Sequence, residues 1–412
     1  MPANTRRLAI IGQGYVGLPL AMAATDAGWQ VIGVDVSDDR VAALNAGHSP
    51  VEDVSDQRLQ TALAASLYRA TNDFSQISLS DVITICVPTP LDSNRKPDLG
   101  PLISAAQSIE PHVKSGALVV SESTSYPGTL RNEILPIFEK GLGISDRKVY
   151  FAAAPERVNP GDQKWNQKNT PRLIGGVDPE SQTIALDFYT SICDSVVPVS
   201  SPEIAEAGKL LENTFRLVNI ALINEFTQLC SAQGIDVHQV IDAASTKPYG
   251  FMPFRPGVGV GGHCIPVDPL YLTWWANQNG QQAKIVELAD QLSTSMPTYV
   301  AQRALALVPE KSREIKVLLL GVAYKAGVGD VRETPASALR SSLISQGCIV
   351  EWVDPLVSKW EDSTPVDISW DCDVAILVTN QPGLHVQAIS DRGVLILDCT
   401  NSYSGLKGVT LL

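Results

Sequence analysis

Arg7–Asp35, RLAIIGQGYVGLPLAMAATDAGWQVIGVD, is the stretch that decides the fold of the first part of the chain. A short apolar strand meets the glycine loop Gly12-Gln13-Gly14-Tyr15-Val16-Gly17, a helix follows to about Ala27, and a second strand ends at Asp35. The first glycine permits a tight turn, the second lets the backbone approach a pyrophosphate, and the third lets the helix pack on the strand. The helix N-terminus favours the phosphate charge. The stretch therefore predicts a dinucleotide-binding domain.

Asp35 indicates which dinucleotide is bound. A carboxylate at the end of the second strand accepts hydrogen bonds from the adenosine ribose hydroxyls and repels a 2′-phosphate. The sequence therefore predicts NAD as the cofactor, in preference to NADP.

Three further apolar strands end in polar side chains. In open parallel sheets, ligands collect at the carboxyl ends of the strands. Thr89, Thr124 and Glu156 follow strands predicted over Asp81–Val87, Ala117–Glu122 and Val149–Ala153. Each could be an ordinary loop residue, but three successive strand ends favour a ligand site.

A long helix is predicted over Glu203–Gln233, which contains no proline and only one glycine. Lys209 and Asn213 are four residues apart and share a face of this helix, which Arg216 extends. The alternative is a solvated polar stripe. Because the helix is more apolar than one small domain needs, we expect it to bridge two lobes and to pack against a second copy of the chain as a homodimer.

The last part of the chain repeats the strand–helix–strand pattern from Ile315 to Asp354 without the three-glycine loop. The first loop of this part carries Tyr324, Lys325 and Arg332, which favour a phosphorylated ligand. The predicted fold class is α/β, with two Rossmann-like doubly wound domains joined by a helical connector domain with one long central helix. The expected domains are an NAD-binding domain over 1–200, a connector and dimerisation domain over 201–300, and a second α/β domain over 301–412 that binds a phosphorylated ligand.

The glycine-rich stretch from Gly257 to Pro269 contains a cysteine, Cys264, just ahead of a predicted helix. A loop before a helix N-terminus favours the thiolate, which is the nucleophilic form. The alternatives are a small buried cysteine and an Asp268 that only caps the helix. The spacing of His263, Cys264 and Asp268 matches no zinc pattern, so no metal is expected.

Composition restricts the class of protein. The chain has 412 residues, of which 44% are hydrophobic and 18% charged, and its formal net charge is −13. This acidity argues against general nucleic-acid binding. Seven scattered cysteines without a CxxC pair fit a reducing, cytoplasmic location. No apolar run is long enough to span a membrane, and the glycines after Arg6-Arg7 argue against a secretory signal.

Seven motifs follow one another along nearly the whole chain: GQGYVG at Gly12–Gly17, CVPTP at Cys86–Pro90, ESTSYPGT at Glu122–Thr129, PERVNPG at Pro155–Gly161, KLLENTFR at Lys209–Arg216, PGVGVGGHCIPVDP at Pro256–Pro269 and AYKAGVGDVRETP at Ala323–Pro335. In this order they resemble the UDP-glucose/GDP-mannose 6-dehydrogenase family. The variant GGHCIPVDPLYL is more similar to the UDP-N-acetylhexosamine branch of the family than to the UDP-glucose branch. The resemblance implies that the domain over 301–412 binds the nucleotide sugar.

The resemblance implies a four-electron oxidation of the C6 alcohol of a nucleotide sugar to a carboxylate. In the family's chemistry, Cys264 would hold the aldehyde as a thiohemiacetal, and the second oxidation would give a thioester. Lys209, with Asn213 beside it, would stabilise the oxyanion. Asp268 would assist proton transfer and, together with Thr124 and Glu156, position the hydrolytic water.

The resemblance also implies two sets of ligand contacts. For NAD they are Gly12, Gly14, Tyr15, Val16, Gly17, Asp35, Arg40, Pro88, Thr89, Thr124 and Arg332. For the nucleotide sugar they are Arg157, Val158, Lys209, Asn213, Arg216, Phe254, Arg255, Gly259, Tyr324 and Lys325.

Several alternatives stay open at this point. UDP-glucose or GDP-mannose could replace a UDP-N-acetylhexosamine as the substrate. A 3-hydroxyacyl or 6-phosphogluconate dehydrogenase would share the first lobe but would require neither Cys264 nor a second α/β lobe. A catalytically inactive NAD-binding regulator is the alternative from another class, and intact Cys264, Lys209 and Asp268 argue against it.

Overall fold

The computed structural model describes residues 6–142, 147–158, 164–309 and 314–412. The chain forms two compact units, which we call unit 1, Met1–Glu212, and unit 2, Asn213–Leu412.

Unit 1 is built on an eight-stranded sheet in the order β3-β2-β1-β4-β5-β6-β7-β8. Its strands are β1 Arg7–Ile11, β2 Gln30–Val34, β3 Tyr68–Thr71, β4 Val82–Ile85, β5 Leu118–Ser121, β6 Tyr150–Ala153, β7 Arg172–Gly176 and β8 Val196–Pro198. Its helices are α1 Gly17–Asp26, α2 Asp38–Asn45, α3 Asp56–Ala64, α4 Gly100–Ile109, α5 Leu135–Leu142, α6 Pro179–Thr190 and the first part of α7 Pro202–Ala232.

The central strands of unit 1 are buried along their whole length because both faces of the sheet are covered. Every residue of β4 and β5 is buried, as expected for parallel strands between helical layers. The strand order reverses at β1, which pairs with β2 on one side and with β4 on the other. This reversal opens a crevice at the carboxyl ends of β1 and β4, the usual position for a ligand.

Unit 2 contains the rest of α7 and a second, five-stranded parallel sheet in the order β10-β9-β11-β12-β13. Its further helices are α8 Val237–Ser245, α9 Asp268–Gln278, α10 Lys284–Leu307, α11 Pro335–Ser345 and α12 Val386–Asp391. Its strands are β9 Lys316–Leu320, β10 Ile349–Val353, β11 Val374–Leu377, β12 Leu395–Asp398 and β13 Val409–Leu411.

The predicted fold class is confirmed: there are two parallel-sheet, Rossmann-like domains and one long central helix. This helix, α7, spans 31 residues, close to the predicted Glu203–Gln233. One pairing departs from the predicted parallel arrangement: β6 and β7 run antiparallel. The predicted domain boundaries at residues 200 and 300 stay predictions.

Candidate functional site

The glycine loop between β1 and α1 can hold only glycine at two of its three motif positions. Gly12 has a φ of +92°, and an added Cβ would lie 2.6 Å from the carbonyl oxygen of Cys86. A Cβ on Gly17 would lie 1.9 Å from the carbonyl oxygen of Gly12. A Cβ on Gly14, by contrast, would meet no atom within 4 Å. The loop is therefore closely packed at Gly12 and Gly17 and open at Gly14. The open space at Gly14 fits a pyrophosphate at the start of α1.

Asp35 lies directly after β2 and ties the glycine loop to that strand. Its Oδ2 accepts hydrogen bonds from the backbone N–H of Gln13 at 2.9 Å and from Nη1 of Arg40 at 3.2 Å. Its Oδ1 accepts from the N–H of Ser37 at 3.0 Å. Asp35 is buried, whereas the Arg40 side chain is 42% exposed. The buried carboxylate thus lies at the end of β2 with a cation beside it, and its contact with the ribose stays a prediction.

Gln13 is a structural residue of this loop that sequence reasoning missed. Its buried side chain donates to the carbonyl oxygen of Ile10 at 2.9 Å and accepts from the Tyr68 hydroxyl at 2.8 Å. Gly33 of β2 makes room for it, because a Cβ there would lie 2.5 Å from the Gln13 side chain. A glycine inside a strand next to the motif was the available indication.

The loops after β4 and β5 are joined at the crevice. The Thr89 hydroxyl donates to the carbonyl oxygen of Thr124 at 2.7 Å, and Ser123 donates to that of Val87 at 2.7 Å. Pro88 is exposed, whereas Thr89 and Thr124 are half-buried. The structure therefore brings together the two threonines that were predicted from separate strand ends.

A buried arginine, Arg172, lies between two carboxylates and was not predicted. Its guanidinium donates to Oε2 of Glu122 at 2.9 Å and to Oε2 of Glu156 at 2.9 Å, and only 2% of the residue is exposed. Tyr189 donates to the other oxygen of Glu122. Burial raises the pKa of Glu122 to about 7. Burial also pushes up the pKa of Glu156, but the Arg172 charge and hydrogen bonds outweigh it, so this pKa lies below its ordinary value.

Glu156 shapes the loop that follows it. Its Oε1 accepts from the backbone N–H groups of Arg157 at 2.5 Å and of Val158 at 2.6 Å. The Arg157 guanidinium pairs with Glu212 of α7 at 2.6 Å and donates to the carbonyl oxygen of Pro171 at 2.6 Å. The end of the PERVNPG motif, 159–161, lies outside the described residues.

Lys209 is 7% exposed, so it does not belong to a solvated stripe of α7. Its charge is among those that lower the pKa of Glu156. One turn earlier, the buried carboxylate of Glu206 accepts from the N–H groups of Gly128 at 2.6 Å and Leu130 at 2.9 Å. Burial raises the pKa of Glu206 to about 7. This tie between α7 and the ESTSYPGT motif was also missed from the sequence.

In unit 2, the glycines before Cys264 allow a tyrosine to pack on the backbone. A Cβ on Gly261 or on Gly262 would lie 2.8 Å from side-chain atoms of Tyr324. The carbonyl oxygen of Cys264 accepts the N–H of Asp268 at 2.8 Å, so the cysteine lies one turn ahead of α9. Cys264 is exposed, whereas the other six cysteines are buried. The interpretation of Cys264 as a small buried hydrophobic residue is therefore wrong.

Asp268 is the first residue of α9, and the N-cap position belongs to Val267. The prediction that Asp268 caps the helix was thus displaced by one residue. The Asp268 carboxylate is 4% exposed and instead accepts a short, 2.5 Å hydrogen bond from Nδ2 of Asn213 on α7. The Asp268 carboxylate is therefore bonded to a side chain of α7, and its role in proton transfer stays a prediction.

The remaining predicted binding residues of unit 2 are held by local contacts. Arg332 makes a two-point pair with Asp330, with nitrogen–oxygen distances of 2.8 and 2.6 Å. Arg255 pairs with Asp242, and the Phe254 ring packs edge-on against Phe215 with centroids 5.9 Å apart. Gly259 has a φ of +149°, and Arg216 is exposed on α7. Tyr324 donates its N–H to the carbonyl oxygen of Asp330 at 3.0 Å, which closes the loop that carries Lys325.

Across residues 6–142, 147–158, 164–309 and 314–412, no group of three or more His, Cys, Asp or Glu could hold a metal ion. In the same ranges, no helix is both long and apolar enough to cross a lipid bilayer.

Three family models match the chain in sequence order. Residues 6–193 match the NAD binding domain of the UDP-glucose/GDP-mannose dehydrogenase family, residues 203–294 its central domain and residues 318–404 its UDP binding domain. The chain belongs to this family. The predicted family, the enzyme class of NAD-dependent UDP-sugar dehydrogenases and the cofactor NAD are thereby confirmed.

Individual members of the UDP-glucose/GDP-mannose dehydrogenase family are similar over most of their length. The UDP-N-acetyl-D-glucosamine 6-dehydrogenase of Pseudomonas aeruginosa is 36% identical, and the match covers 85% of this chain and 83% of that protein. The UDP-N-acetyl-D-mannosamine dehydrogenase of Methanocaldococcus jannaschii is also 36% identical, with 85% and 79% covered. The solved structure of a UDP-D-ManNAc dehydrogenase from Pyrococcus horikoshii has a TM-score of 0.89 at 31% identity and covers 98% of both chains.

Proposed function

We propose that the protein oxidises the C6 hydroxymethyl group of a UDP-N-acetylhexosamine to a carboxylate, with Cys264 as the covalent nucleophile. The observation that carries the proposal is the exposed Cys264 on a glycine-rich backbone one turn ahead of α9. A simple alcohol dehydrogenase needs no such thiol. The choice of sugar is supported by the names of the relatives and by the GGHCIPVDPLYL variant.

The reaction balances as two oxidations and one hydrolysis. When bound, NAD supplies a hydride acceptor for each oxidation. In the first, the alcohol loses a hydride from C6 and a proton from its hydroxyl, which gives an aldehyde. The Cys264 thiolate adds to this aldehyde as a thiohemiacetal, whose oxidation leaves a thioester. Water then cleaves the carbon–sulfur bond, which releases the acid and restores the thiol.

Lys209 and Asn213 are proposed to stabilise the oxyanion that forms at C6 in each step. A buried ammonium group is suited to this role because little water screens its charge. Asp268 is proposed to move the proton, supported by its burial and by its bond from Asn213.

Glu156 and Thr124 are proposed to position the hydrolytic water. Both carboxylate oxygens of Glu156 already accept hydrogen bonds, and its pKa is lowered by the nearby charges despite burial. These contacts support a fixed acceptor that orients water more than a base that takes its proton.

A separate set of contacts is proposed for each of the two ligands. NAD is proposed to contact Gly12, Gly14, Tyr15, Val16, Gly17, Asp35, Arg40, Pro88, Thr89, Thr124 and Arg332. The nucleotide sugar is proposed to contact Arg157, Val158, Arg216, Phe254, Arg255, Gly259, Tyr324 and Lys325, besides Lys209 and Asn213.

A homodimer remains part of the proposal because α7 keeps an apolar stripe exposed. Phe215, Leu222, Phe226 and Leu229 are 46%, 59%, 40% and 61% exposed, a pattern that a second copy would cover. Sedimentation equilibrium tests it by comparing the mass in solution with that of one chain.

NADH stoichiometry and intact-protein mass spectrometry test the covalent mechanism. The wild type should form two NADH per sugar and release no aldehyde, with UDP-N-acetylglucosamine, UDP-N-acetylmannosamine and UDP-glucose compared as substrates. Cys264→Ala should fail in the second oxidation because no thioester can form. Cys264→Ser can form a hemiacetal and an ester, which should hydrolyse slowly and accumulate as a protein adduct. Two NADH per sugar from Cys264→Ala at the wild-type rate would exclude Cys264 as the nucleophile.

A further inference from the structure

The crevice of unit 2 lies where β9 meets β11, at the reversal of strand order in the second sheet. The loops that follow the carboxyl ends of these two strands are in direct contact with each other. The Thr379 hydroxyl donates to the carbonyl oxygen of Ala323 at 2.7 Å. An added Cβ on Gly321 would lie only 1.9 Å from the carbonyl oxygen of Thr379. The base of this crevice is therefore filled by protein.

Gln381 fills the next layer of the crevice. It is 2% exposed, and its Oε1 accepts the backbone N–H of Gly327 at 2.8 Å. Its Nε2 donates to the carbonyl oxygen of Val328 at 2.9 Å and lies 3.4 Å from the carbonyl oxygen of Lys325. Because one end faces an N–H and the other faces carbonyls, the orientation of the amide is fixed by its partners.

These bonds give shape to a loop that has no helix or strand of its own. We call residues 324–330 the substrate loop, which begins at Tyr324 and contains Lys325, Gly327 and Val328. The hydrogen bond from the Tyr324 N–H to the carbonyl oxygen of Asp330 joins the two ends of the loop. The buried Gln381 side chain bonds to Gly327 in its middle. Tyr324 at one end packs on Gly261 and Gly262, just before Cys264.

We propose that Gln381 is a positioning residue for the nucleotide sugar. It holds the substrate loop in the conformation that presents Tyr324 and Lys325 to the nucleotide, and it is not itself assigned a contact with the substrate. The inference rests on the proposed function, in which these two residues bind the nucleotide sugar.

Glutamine suits this position because it is neutral and offers both a donor and an acceptor. Leucine of similar size would leave the Gly327 N–H and the Val328 carbonyl without this partner. Glutamate would keep the acceptor but would bring a second carboxylate close to Asp354, whose Oδ2 lies 3.4 Å from Nε2 of Gln381. Only a protonated glutamate could donate to the Val328 carbonyl.

The test compares Gln381→Leu and Gln381→Glu with Gln387→Leu, a control at an exposed glutamine of α12. Calorimetry with UDP as the probe, calorimetry with NAD, and the separate values of kcat and KM are the readouts, with circular dichroism as a check of folding. We expect Gln381→Leu to weaken UDP binding and raise KM by at least about tenfold, because two buried hydrogen bonds are lost. NAD binding and the control variant should match the wild type.

Gln381→Glu keeps the proposal testable if the leucine variant does not fold. Its UDP affinity should recover as the pH falls, because the protonated side chain can again donate to Val328, and this recovery should exceed the change in the wild type. Wild-type UDP affinity in folded Gln381→Leu, or no recovery in Gln381→Glu, would overturn the inference alone. A wild type that neither binds UDP nor forms NADH would overturn the proposed function, and the inference with it.

Discussion

The loop after β1 in unit 1 and the loop after β9 in unit 2 are held by the same pattern of hydrogen bonds, all donated by backbone N–H groups. In each, a glycine N–H donates to the last carbonyl of the neighbouring strand, the next N–H donates to an aspartate after that strand, and the aspartate accepts a third N–H two residues on. In unit 1 these bonds are Gly12 to Val34 at 2.7 Å, Gln13 to Asp35 at 2.9 Å and Ser37 to Asp35 at 3.0 Å. In unit 2 they are Gly321 to Val353 at 2.8 Å, Val322 to Asp354 at 2.8 Å and Leu356 to Asp354 at 2.9 Å.

The two loops differ in what occupies the crevice above this common scaffold. The strand pairings align Ile11–Ile85 with Leu320–Leu377, so that Gly14 corresponds to Ala323 and Thr89 to Gln381. Unit 1 has open space at Gly14 and the half-buried Thr89 at the second position, whereas unit 2 has Ala323 and the buried, longer side chain of Gln381 there. The same backbone turn is therefore proposed to hold the cofactor in unit 1, whereas in unit 2 it supports a loop that side chains close.

The largest effect is expected from adding a Cβ at the shared turn. Gly321 has a φ of +73°, and an added Cβ would lie 1.9 Å from the backbone oxygen of Thr379. A backbone atom cannot move aside as the end of a flexible side chain can. Gly321→Ala should lower the free energy of unfolding by about 3 kcal/mol or more, from strain and steric overlap together. Gly12→Ala, with a 2.6 Å contact, should cost less.

Denaturant unfolding followed by circular dichroism measures these losses, and hydrogen exchange assigns each to its unit. Gly347→Ala is the matched control in unit 2, because Gly347 has a φ of +81° but its Cβ would meet no atom within 4 Å. If Gly321→Ala were no less stable than Gly347→Ala, the steric closure of the turn would be unimportant.

The next largest effects are expected from replacing Asp35 and Asp354, which should change different properties of the protein. Asp35→Ala should weaken NAD binding by at least about tenfold through lost ribose hydrogen bonds, and should leave UDP binding nearly unchanged. Asp354→Ala should leave NAD binding unchanged and destabilise unit 2 by about 1–3 kcal/mol, because two buried N–H groups and one part-buried N–H group lose their acceptor. Calorimetry with each ligand and denaturant unfolding measure the two outcomes. Equal wild-type activity with NADP would contradict the proposed role of Asp35.

The sequence predicted the features that are local in the chain. The glycine loop, its two strands and Asp35 lie within one continuous segment, so their spacing alone indicates the ligand. The Cys264 loop was also visible because its glycines, cysteine and helix start are adjacent. The short strands β3, β7, β8 and β13, of three to five residues, carry too little alternation to be predicted.

Three buried polar residues, Arg172, Glu206 and Gln381, could not be predicted because their partners are distant in the chain. Arg172 and Glu122 are 50 residues apart, Glu206 and Gly128 are 78, and Gln381 and Gly327 are 54. A single arginine, glutamate or glutamine in an apolar segment has no periodicity of its own. Only the folded chain shows that each of these side chains makes hydrogen bonds with residues that follow a strand.

The smallest effects are expected from exchanging the second residue after the turn glycine between the two loops. Gly14→Ala should fold, because its Cβ meets nothing within 4 Å, yet it should weaken NAD binding several-fold by standing where the pyrophosphate approaches. The reciprocal Ala323→Gly should cost only about 0.4–1 kcal/mol, through greater freedom of the unfolded chain. It should not create a second dinucleotide site.

The reason is that Ala323 is not what closes the crevice of unit 2. Thr379 still bonds to the carbonyl of residue 323, and Gln381 still bonds to Gly327 and Val328 after that methyl group is removed. Calorimetry should therefore give the same number of NAD molecules per chain for Ala323→Gly as for the wild type. A second bound NAD would mean that one methyl group separates the two loops, and that the side chains after β11 are not the barrier.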